Sequence, residues 1–541
     1  MKKYIKNNKK NIIIYILLCF ISASLTAGTA FLYQRITSSA INNDFRALIL
    51  FSIFAIPYLI LEASFDYIPK KYRSIITNSI SLDLKNDFIE SINDTELSKM
   101  DYNFTNTIKN KMVNDLSIIE ESYIRNLLSI ILYSFMFVIS LISAIYIQGY
   151  LTIIMIVLSA IPLLTPIISK KILTNKKEIQ KNAKDKYLNS YNEYADNILF
   201  VNISNLKLFF YDKLILLGEK LKHESIFYES SLLKTYSISY VLGNVLYSGT
   251  WIIGGIFVYK NLLTLPSLIA MTTLMFTIAG PIQTISNIYS EFLSSRKIFF
   301  DYLDFIDKSK TTDKKTKSKI SKIEKIDIKN LNLSFSNKII LKNLSFNFMN
   351  GNKYVLLGES GSGKSTFLNS LFGIYEYAND YIAINEKNLS EIDKSSYYDN
   401  IFYIPQETII FNTSILNNIT LFSENVDLVR VQECIKKVGL SDWFNSKDNK
   451  FYCVLSKDSI SGGEKKRLDL ARALYLDKSV IIMDEPTSAL DFENEILISK
   501  IIKGIQDKLI ICVSHSTNDE FLNVFDKKIK IINKEFVTED H

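Results

Sequence analysis

Cysteine and histidine are scarce in this chain. Four cysteines, Cys19, Cys434, Cys453 and Cys512, and three histidines are spread over 541 residues. No spacing among them matches a tetrahedral metal site. The cysteines are also too few and too scattered for a disulfide scaffold, so free thiols are expected. No Cys/His pair precedes the first apolar run, and an N-terminal peptidase domain is not expected. Charge is the second thing missing, from long stretches rather than overall. Residues 11–34, 126–169, 235–259 and 261–290 carry none, and residues 47–61 are apolar up to Glu62. With 48% hydrophobic residues and a mean hydropathy of +0.11, the chain is too apolar for an ordinary soluble protein of its size.

A helix needs about 20 residues to cross the hydrocarbon core. The uncharged block 126–169 is long enough for two passes, with the turn at Gln148-Gly149. Six spans are predicted, at about 11–34, 47–69, 126–147, 150–170, 236–259 and 262–285. The first follows five lysines, yet its run exceeds a signal-peptide core and it is read as a retained helix. With the N-terminus in the cytoplasm, segments 1–10, 70–125 and 170–234 hold 5, 8 and 12 Lys+Arg, against Arg35, Arg46 and Lys260 outside. That bias sets the orientation. It also accounts for the formal net charge of +7, and no nucleic-acid partner is expected. The Lys-, Asn- and Ile-rich composition points to an AT-rich bacterial genome, and a plasma-membrane location follows.

Both long inside loops carry helical patterns, and turns are expected near 95–112 and 195–212. Residues 306–325 are polar and Lys-rich, as in a solvated linker. The expected division is therefore a membrane domain at 1–305, a linker at 306–325 and an α/β domain at 326–541.

Within that last part, Gly358-Glu359-Ser360-Gly361-Ser362-Gly363-Lys364-Ser365-Thr366 follows the apolar run Tyr354–Leu357 and precedes a helix-like run. This is the G-x4-G-K-[S/T] phosphate loop. Its glycines turn backbone N–H groups toward phosphate oxygens, and a helix N-terminus adds its dipole. Lys364 can reach the β- and γ-phosphates, and the Ser365 hydroxyl can ligate Mg²⁺. Downstream, Val480-Ile481-Ile482-Met483 ends in Asp484 and Glu485. Asp484 can hold Mg²⁺, and Glu485 can polarise an attacking water.

Four further motifs carry a family resemblance. Ile460-Ser461-Gly462-Gly463-Glu464 resembles the ABC-transporter signature, and Tyr403-Ile404-Pro405-Gln406 its Q-loop. Ser488-Ala489-Leu490-Asp491 resembles its D-loop, and Val513-Ser514-His515 its switch histidine. The order is the family's own, and the six apolar spans resemble the exporter arrangement, so the likeness covers almost the whole chain. It implies an all-α six-helix transmembrane domain of ABC exporter type fused to an α/β P-loop ATPase domain, in a half-transporter that works as a dimer. It implies that Gly358, Ser360, Gly361, Ser362, Gly363, Lys364, Ser365 and Thr366 bind ATP, and that Ser461, Gly462 and Gly463 of one copy close over the nucleotide held by the other. Ser365, Gln406 and Asp484 are the implied Mg²⁺ ligands, and Glu485, His515 and Gln406 the implied catalytic group.

The resemblance leaves some matters open. The partner is a second copy of the chain or a related half-transporter. The adenine-stacking aromatic is expected near Leu333–Asn337, where Asn337 stands in its place and Phe335 is the substitute. The signature ends in Glu464 rather than Gln, and the loop Val454–Ser459 before it lacks the Gly-rich acidic pattern of multidrug-type exporters. Glu62 and Asp66 are candidate cavity carboxylates. The expected activity is ATP-driven export of a peptide, lipid or amphipathic small molecule. The alternatives are an importer of exporter shape, as for siderophores, and an ATP-gated channel or sensor.

Overall fold

The computed structural model describes residues 2–539 except 101–103, 161–163, 311–316, 336–337 and 489. It divides into two units, Met1–Asn93 with Thr105–Lys310, and Asp94–Phe104 with Thr311–His541.

The first unit is helical. A short α1 (Lys2–Asn7) leads to α2 (Lys9–Ile41) and α3 (Phe45–Asn93). Next, α4 (Phe104–Asn110) runs through two wide π-type turns, Lys111–Asp115 and Ile119–Ile124, toward α5 (Arg125–Ala160). It is followed by α6 (Leu164–Asp196), a short α7 (Ile198–Ile203), α8 (Lys207–Tyr259) and α9 (Leu265–Lys310). Four runs among the described residues are long and apolar enough to cross a membrane: Lys9–Ile41, Phe45–Asn93, Phe104–Ile154 and Leu265–Ile285. At Gln148 the backbone leaves the helical region (φ −159°, ψ 100°), dividing α5 at the predicted turn. The apolar runs are only parts of their helices. At 53 residues, α8 would extend about 80 Å, well beyond a bilayer core.

Two buried clusters hold these helices. In one, Tyr123 stacks between Phe292 at 4.9 Å and Phe299 at 4.4 Å, beside Tyr15, Phe88 and Tyr302. In the other, Ala27, Ala30 and Ala144 let helices approach closely around Met271 and Leu274. Ile306 is buried in the first cluster, so α9 continues past residue 305 to Lys310, into the segment read as linker. Asp87 pins α1, accepting from the Tyr4 hydroxyl at 2.8 Å and pairing with Lys3 at 2.6 Å. Glu62 accepts from the Thr26 hydroxyl at 3.2 Å, and Asp66 pairs with Lys70 at 2.6 Å.

The second unit contains two sheets. Strands β1 (Lys325–Phe335), β2 (Lys338–Met349), β4 (Ile382–Ile384) and β5 (Lys387–Asn388) form an antiparallel sheet in the order β2-β1-β4-β5. The larger sheet has the order β10-β9-β3-β8-β7-β6, built from β3 (Lys353–Leu357), β6 (Ile401–Ile404), β7 (Val480–Asp484), β8 (Leu509–Ser514), β9 (Lys527–Ile532) and β10 (Glu535–Glu539). All its pairs are parallel except β9–β10. Its central strands read as unbroken apolar runs because both faces are covered, one by helices and the other by the antiparallel sheet together with the helix after β3. The helix after β3 is α10 (Lys364–Leu371), and those on the other face include α11 (Ile415–Thr420), α12 (Leu428–Lys437), α13 (Gly462–Leu476) and α14 (Phe492–Gly504). The segment Asp94–Phe104 belongs to this unit, where Glu96 pairs with Lys394 at 3.3 Å and Ser98 donates to Glu376 at 3.1 Å.

Candidate functional site

In a parallel sheet the C-terminal strand ends form the natural crevice for a ligand. Here β3, β7 and β8 are adjacent, and their ends deliver the phosphate loop, the Asp484-Glu485 pair and His515. Between β3 and α10 the chain turns with Gly361 at φ +80° and Gly363 at φ +101°, a region that favours glycine. A Cβ on Gly363 would also meet Ile340 at 2.8 Å. Lys364 is buried, and its ammonium donates to the Gly358 carbonyl at 2.7 Å and the Glu359 carbonyl at 2.9 Å. Burial pushes its pKa down, partly offset by Glu485 and Asp484. The buried Ser362 hydroxyl has no partner among the described residues. Ser360 and Ser365 are exposed, and Thr366 is half-buried. Beside the loop lies an open cavity of about 710 Å³ lined by Ile339, Ile340, Gly358, Gly361, Ser362 and the stretch Lys530–Lys534. Of the adenine candidates, Asn337 and the Phe335 side chain lie outside what the structure describes.

Three predicted catalytic residues meet. The Gln406 amide donates to Glu485 Oε2 at 2.9 Å, and His515 Nε2 lies 3.1 Å from Glu485 Oε1. Glu485 itself sits at φ +49°, an unfavourable backbone conformation worth about 1–3 kcal/mol for a residue with a side chain. Its N–H donates to the Val513 carbonyl at 2.9 Å, which holds that conformation at the end of β7. Asp484 is half-buried. Burial raises its pKa, the neighbouring Glu485 charge raises it further, and Lys466 and Lys364 oppose both. The Tyr403 hydroxyl lies 3.5 Å from Asp484, and burial pushes its pKa up to about 12, with Asp484 adding to the shift. Glu485 and His515 also line an open cleft of about 560 Å³ with Thr487, Ser488 and Ser514.

The signature residues stand apart from both cavities. Neither lining includes Ser461, Gly462 or Gly463. They open α13, where the Ser461 hydroxyl accepts from the Glu464 N–H at 3.4 Å and the Glu464 carboxylate accepts from the Ser461 N–H at 2.9 Å. This reciprocal cap explains how Glu464 is accommodated in the signature: it occupies the position where an acid satisfies an orphan N–H. Gly463 leaves room for Asn494, whose Oδ1 a Cβ would meet at 2.8 Å. Ala489 of the D-loop motif lies outside the described residues.

A buried polar system behind the site was not singled out from sequence. Asp469 accepts from the Thr408 hydroxyl at 2.5 Å and pairs with Arg472 at 2.8 Å. Arg472 then donates to the Asn418 carbonyl at 2.7 Å and to its Oδ1 at 3.0 Å. The Asn418 amide donates to the Phe411, Thr413 and Ser414 carbonyls at 2.9, 3.2 and 3.1 Å. Lys466, on the same helix as Asp469, is also buried.

The site residues fit Mg²⁺ with a nucleotide triphosphate. Two adjacent carboxylates, one with its pKa raised, suit a cation, while a desolvated lysine and a buried hydroxyl with no partner among the described residues suit an anion. Residues 341–488 match the ABC transporter family, and residues 12–282 match the ABC transporter transmembrane region. A probable ABC transporter ATP-binding/permease protein of Haemophilus influenzae is 32% identical over 246 residues, 45% of each chain. The microcin-J25 export ATP-binding/permease protein of Escherichia coli is 26% identical over 355 residues, 63% of this chain and 60% of that one. The chain thus spans about half the length of the curated relatives it matches. A bacterial Atm1-family ABC exporter solved with ATP bound superposes with a TM-score of 0.83 at 17% identity, covering 98% of this chain and 94% of the other. At that identity the likeness is one of fold.

Proposed function

The chain belongs to the ABC transporter family and is a multi-pass membrane protein, and from that premise we propose that it hydrolyses ATP to drive export across the membrane. The observation carrying this reading is the contact of Gln406, Glu485 and His515 beside the phosphate loop. A triphosphate displaces the loop carbonyls from Lys364, whose ammonium then neutralises the β- and γ-phosphates. Glu485, with the Gln406 amide donating to one carboxylate oxygen and His515 3.1 Å from the other, accepts the proton of the attacking water. His515 holds the γ-phosphate once the nucleotide separates it from Glu485, and Gln406 reports the state of the site to the membrane domain. Ser365, Asp484 and Gln406 are the residues to hold Mg²⁺, which when bound neutralises charge on the phosphates.

Ser461, Gly462 and Gly463 lie outside the cavity beside the phosphate loop, which supports a site completed by a second chain, this one or a related half-transporter. The Lys/Arg asymmetry supports an N-terminus and an ATPase unit on the cytoplasmic side, and the Lys-, Asn- and Ile-rich composition supports a bacterial cell. One relative is named for processing and transport of lactococcin G, another for export of microcin J25, and others as ATP-dependent lipid A-core flippases. The cargo class we favour is accordingly a peptide or lipid amphiphile. The test is ATP hydrolysis by the purified chain in lipid nanodiscs beside Glu485→Gln, with directional flux of labelled peptide or lipid. Wild-type turnover, a loss of about 10²-fold or more in the variant and outward flux are expected. A chain silent by itself would remove the self-sufficient pump, and co-purification of a second half-transporter would be the next step.

A further inference from the structure

We propose that Lys466 is a positioning residue for ATP hydrolysis, a buried cation that fixes Gln406 and through it Glu485, and that links these two to the signature end of α13. The inference rests on the functional reading above. Its basis is a placement that core packing does not explain. Lys466 is only 7% exposed, yet its ammonium donates to the Pro405 carbonyl at 3.2 Å and the Gln406 carbonyl at 2.6 Å. Among the described residues no carboxylate lies within ion-pair distance of it. Asp469, one turn along the same helix, is engaged by Arg472 and Thr408. The remaining facing charges are Asp484 and Glu485, which act on Lys466 from the end of β7.

Burying an ammonium without a direct counter-ion is costly, and an apolar side chain of the same volume would be the stable choice. The charge at this point does something an apolar side chain could not. It grips the backbone of the residue whose side chain is hydrogen-bonded to Glu485 at 2.9 Å. It also sits five positions after Ser461, about 7–8 Å along the helix, so a displacement of the capped end of α13 is carried to Gln406 through one rigid segment. Closure of a partner's nucleotide on Ser461 thus alters the setting of Gln406 in the same chain.

The test uses the full chain in nanodiscs with Lys466→Met, Lys466→Gln and Lys466→Arg. One readout is kcat and KM for ATP. The other, independent of turnover, is the Mg²⁺ concentration giving half of the melting-temperature rise produced by a non-hydrolysable ATP analogue. Lys466→Met is expected to lower kcat about tenfold or more with KM for ATP within about twofold, and to raise the Mg²⁺ half-point at least about threefold. Lys466→Gln, whose amide can donate to the same carbonyls, recovers part of both. Wild-type kcat with an unmoved Mg²⁺ half-point in Lys466→Met overturns the proposal. So does an equal loss in all three variants that follows only their melting temperatures. If Lys466→Met does not fold, Lys466→Gln decides: a raised Mg²⁺ half-point supports the proposal, and an unmoved one with wild-type kcat removes it. A wild type that hydrolyses nothing counts against the functional reading, while the analogue melting series still decides the role of Lys466.

Discussion

Asp484 and Glu485 illustrate what two adjacent carboxylates impose on the fold. Burial and the neighbouring carboxylate raise the Asp484 pKa, so the folded chain holds that proton more tightly than the unfolded chain does. An acid whose pKa is raised on folding lowers stability once pH rises above its unfolded value, and the penalty is complete above the folded pKa. Asp484→Asn is therefore expected to raise the melting temperature of the nucleotide-free protein at pH 7. The gain shrinks toward zero as pH falls to about 4, near the unfolded carboxylate value. The same variant is expected to lose most of the extra stabilisation that Mg²⁺ gives with an ATP analogue. Melting curves across pH, with and without Mg²⁺, check both signs. Much at this scale was legible in the sequence, because the backbone dictates it. The left-handed turns at Gly361 and Gly363 require glycine, and the four buried residues before Asp484 require an apolar run. The left-handed backbone at Glu485 was not legible, since it depends on a hydrogen bond to Val513 from the neighbouring strand.

Helix α13 starts at the signature residues, and that start is the part the sequence discloses most directly. Ser461 and Glu464 read directly as a capped helix start. Asp469 and Arg472, which the sequence did not single out, have side chains only 2% and 4% exposed. The fold buries them because the loop Phe411–Ser414 lies over this helix and needs partners for its carbonyls, which Asn418 and, through it, Arg472 supply. A sequence signal for Lys466 did exist. Gly463, Lys466, Leu470 and Ala473 recur at helical spacing on the buried face, and a lysine in such a stripe marks a cation with a task. Removing one member of the buried pair strands the other. Asp469→Ala is expected to lower the stability of the nucleotide-binding unit by about 3–5 kcal/mol, with Asp469→Leu/Arg472→Met recovering part of it. Hydrogen exchange over residues 406–420, followed by mass spectrometry, should show faster opening in the single variant than in the double. Equal protection in both would mean that the network is not what holds this loop. The membrane helices show the same division: a bilayer demands uncharged runs and so reveals them, whereas the continuation of α3 and α8 beyond those runs depends on packing.

At the scale of the whole molecule, the position of the signature sets an arithmetic test of assembly. In the single chain the phosphate loop and Ser461 serve different surfaces, and neither Ser461 nor Gly462 nor Gly463 lines the cavity beside Lys364. If a catalytic site takes its phosphate loop from one copy and its signature from the other, Lys364→Ala and Ser461→Arg each inactivate both sites of a homodimer. Mixing the two variants changes the count. In a mixed dimer, the chain carrying Ser461→Arg contributes an intact phosphate loop, and the chain carrying Lys364→Ala contributes an intact signature. One site is therefore whole and the other doubly defective. Random pairing makes about half of the dimers mixed, so co-expression should restore about a quarter of the wild-type sites. The measurement is ATPase activity of co-expressed, doubly tagged and tandem-purified mixed dimers, which should approach half of wild type when the two sites act independently. Activity that never rises above either parent would mean that the two sites fire only together or that the chain does not pair with itself. Pull-down between the two tags separates these outcomes: recovery of both tags in an inactive complex identifies obligatory coupling between sites, and failure to recover the second tag identifies a different partner.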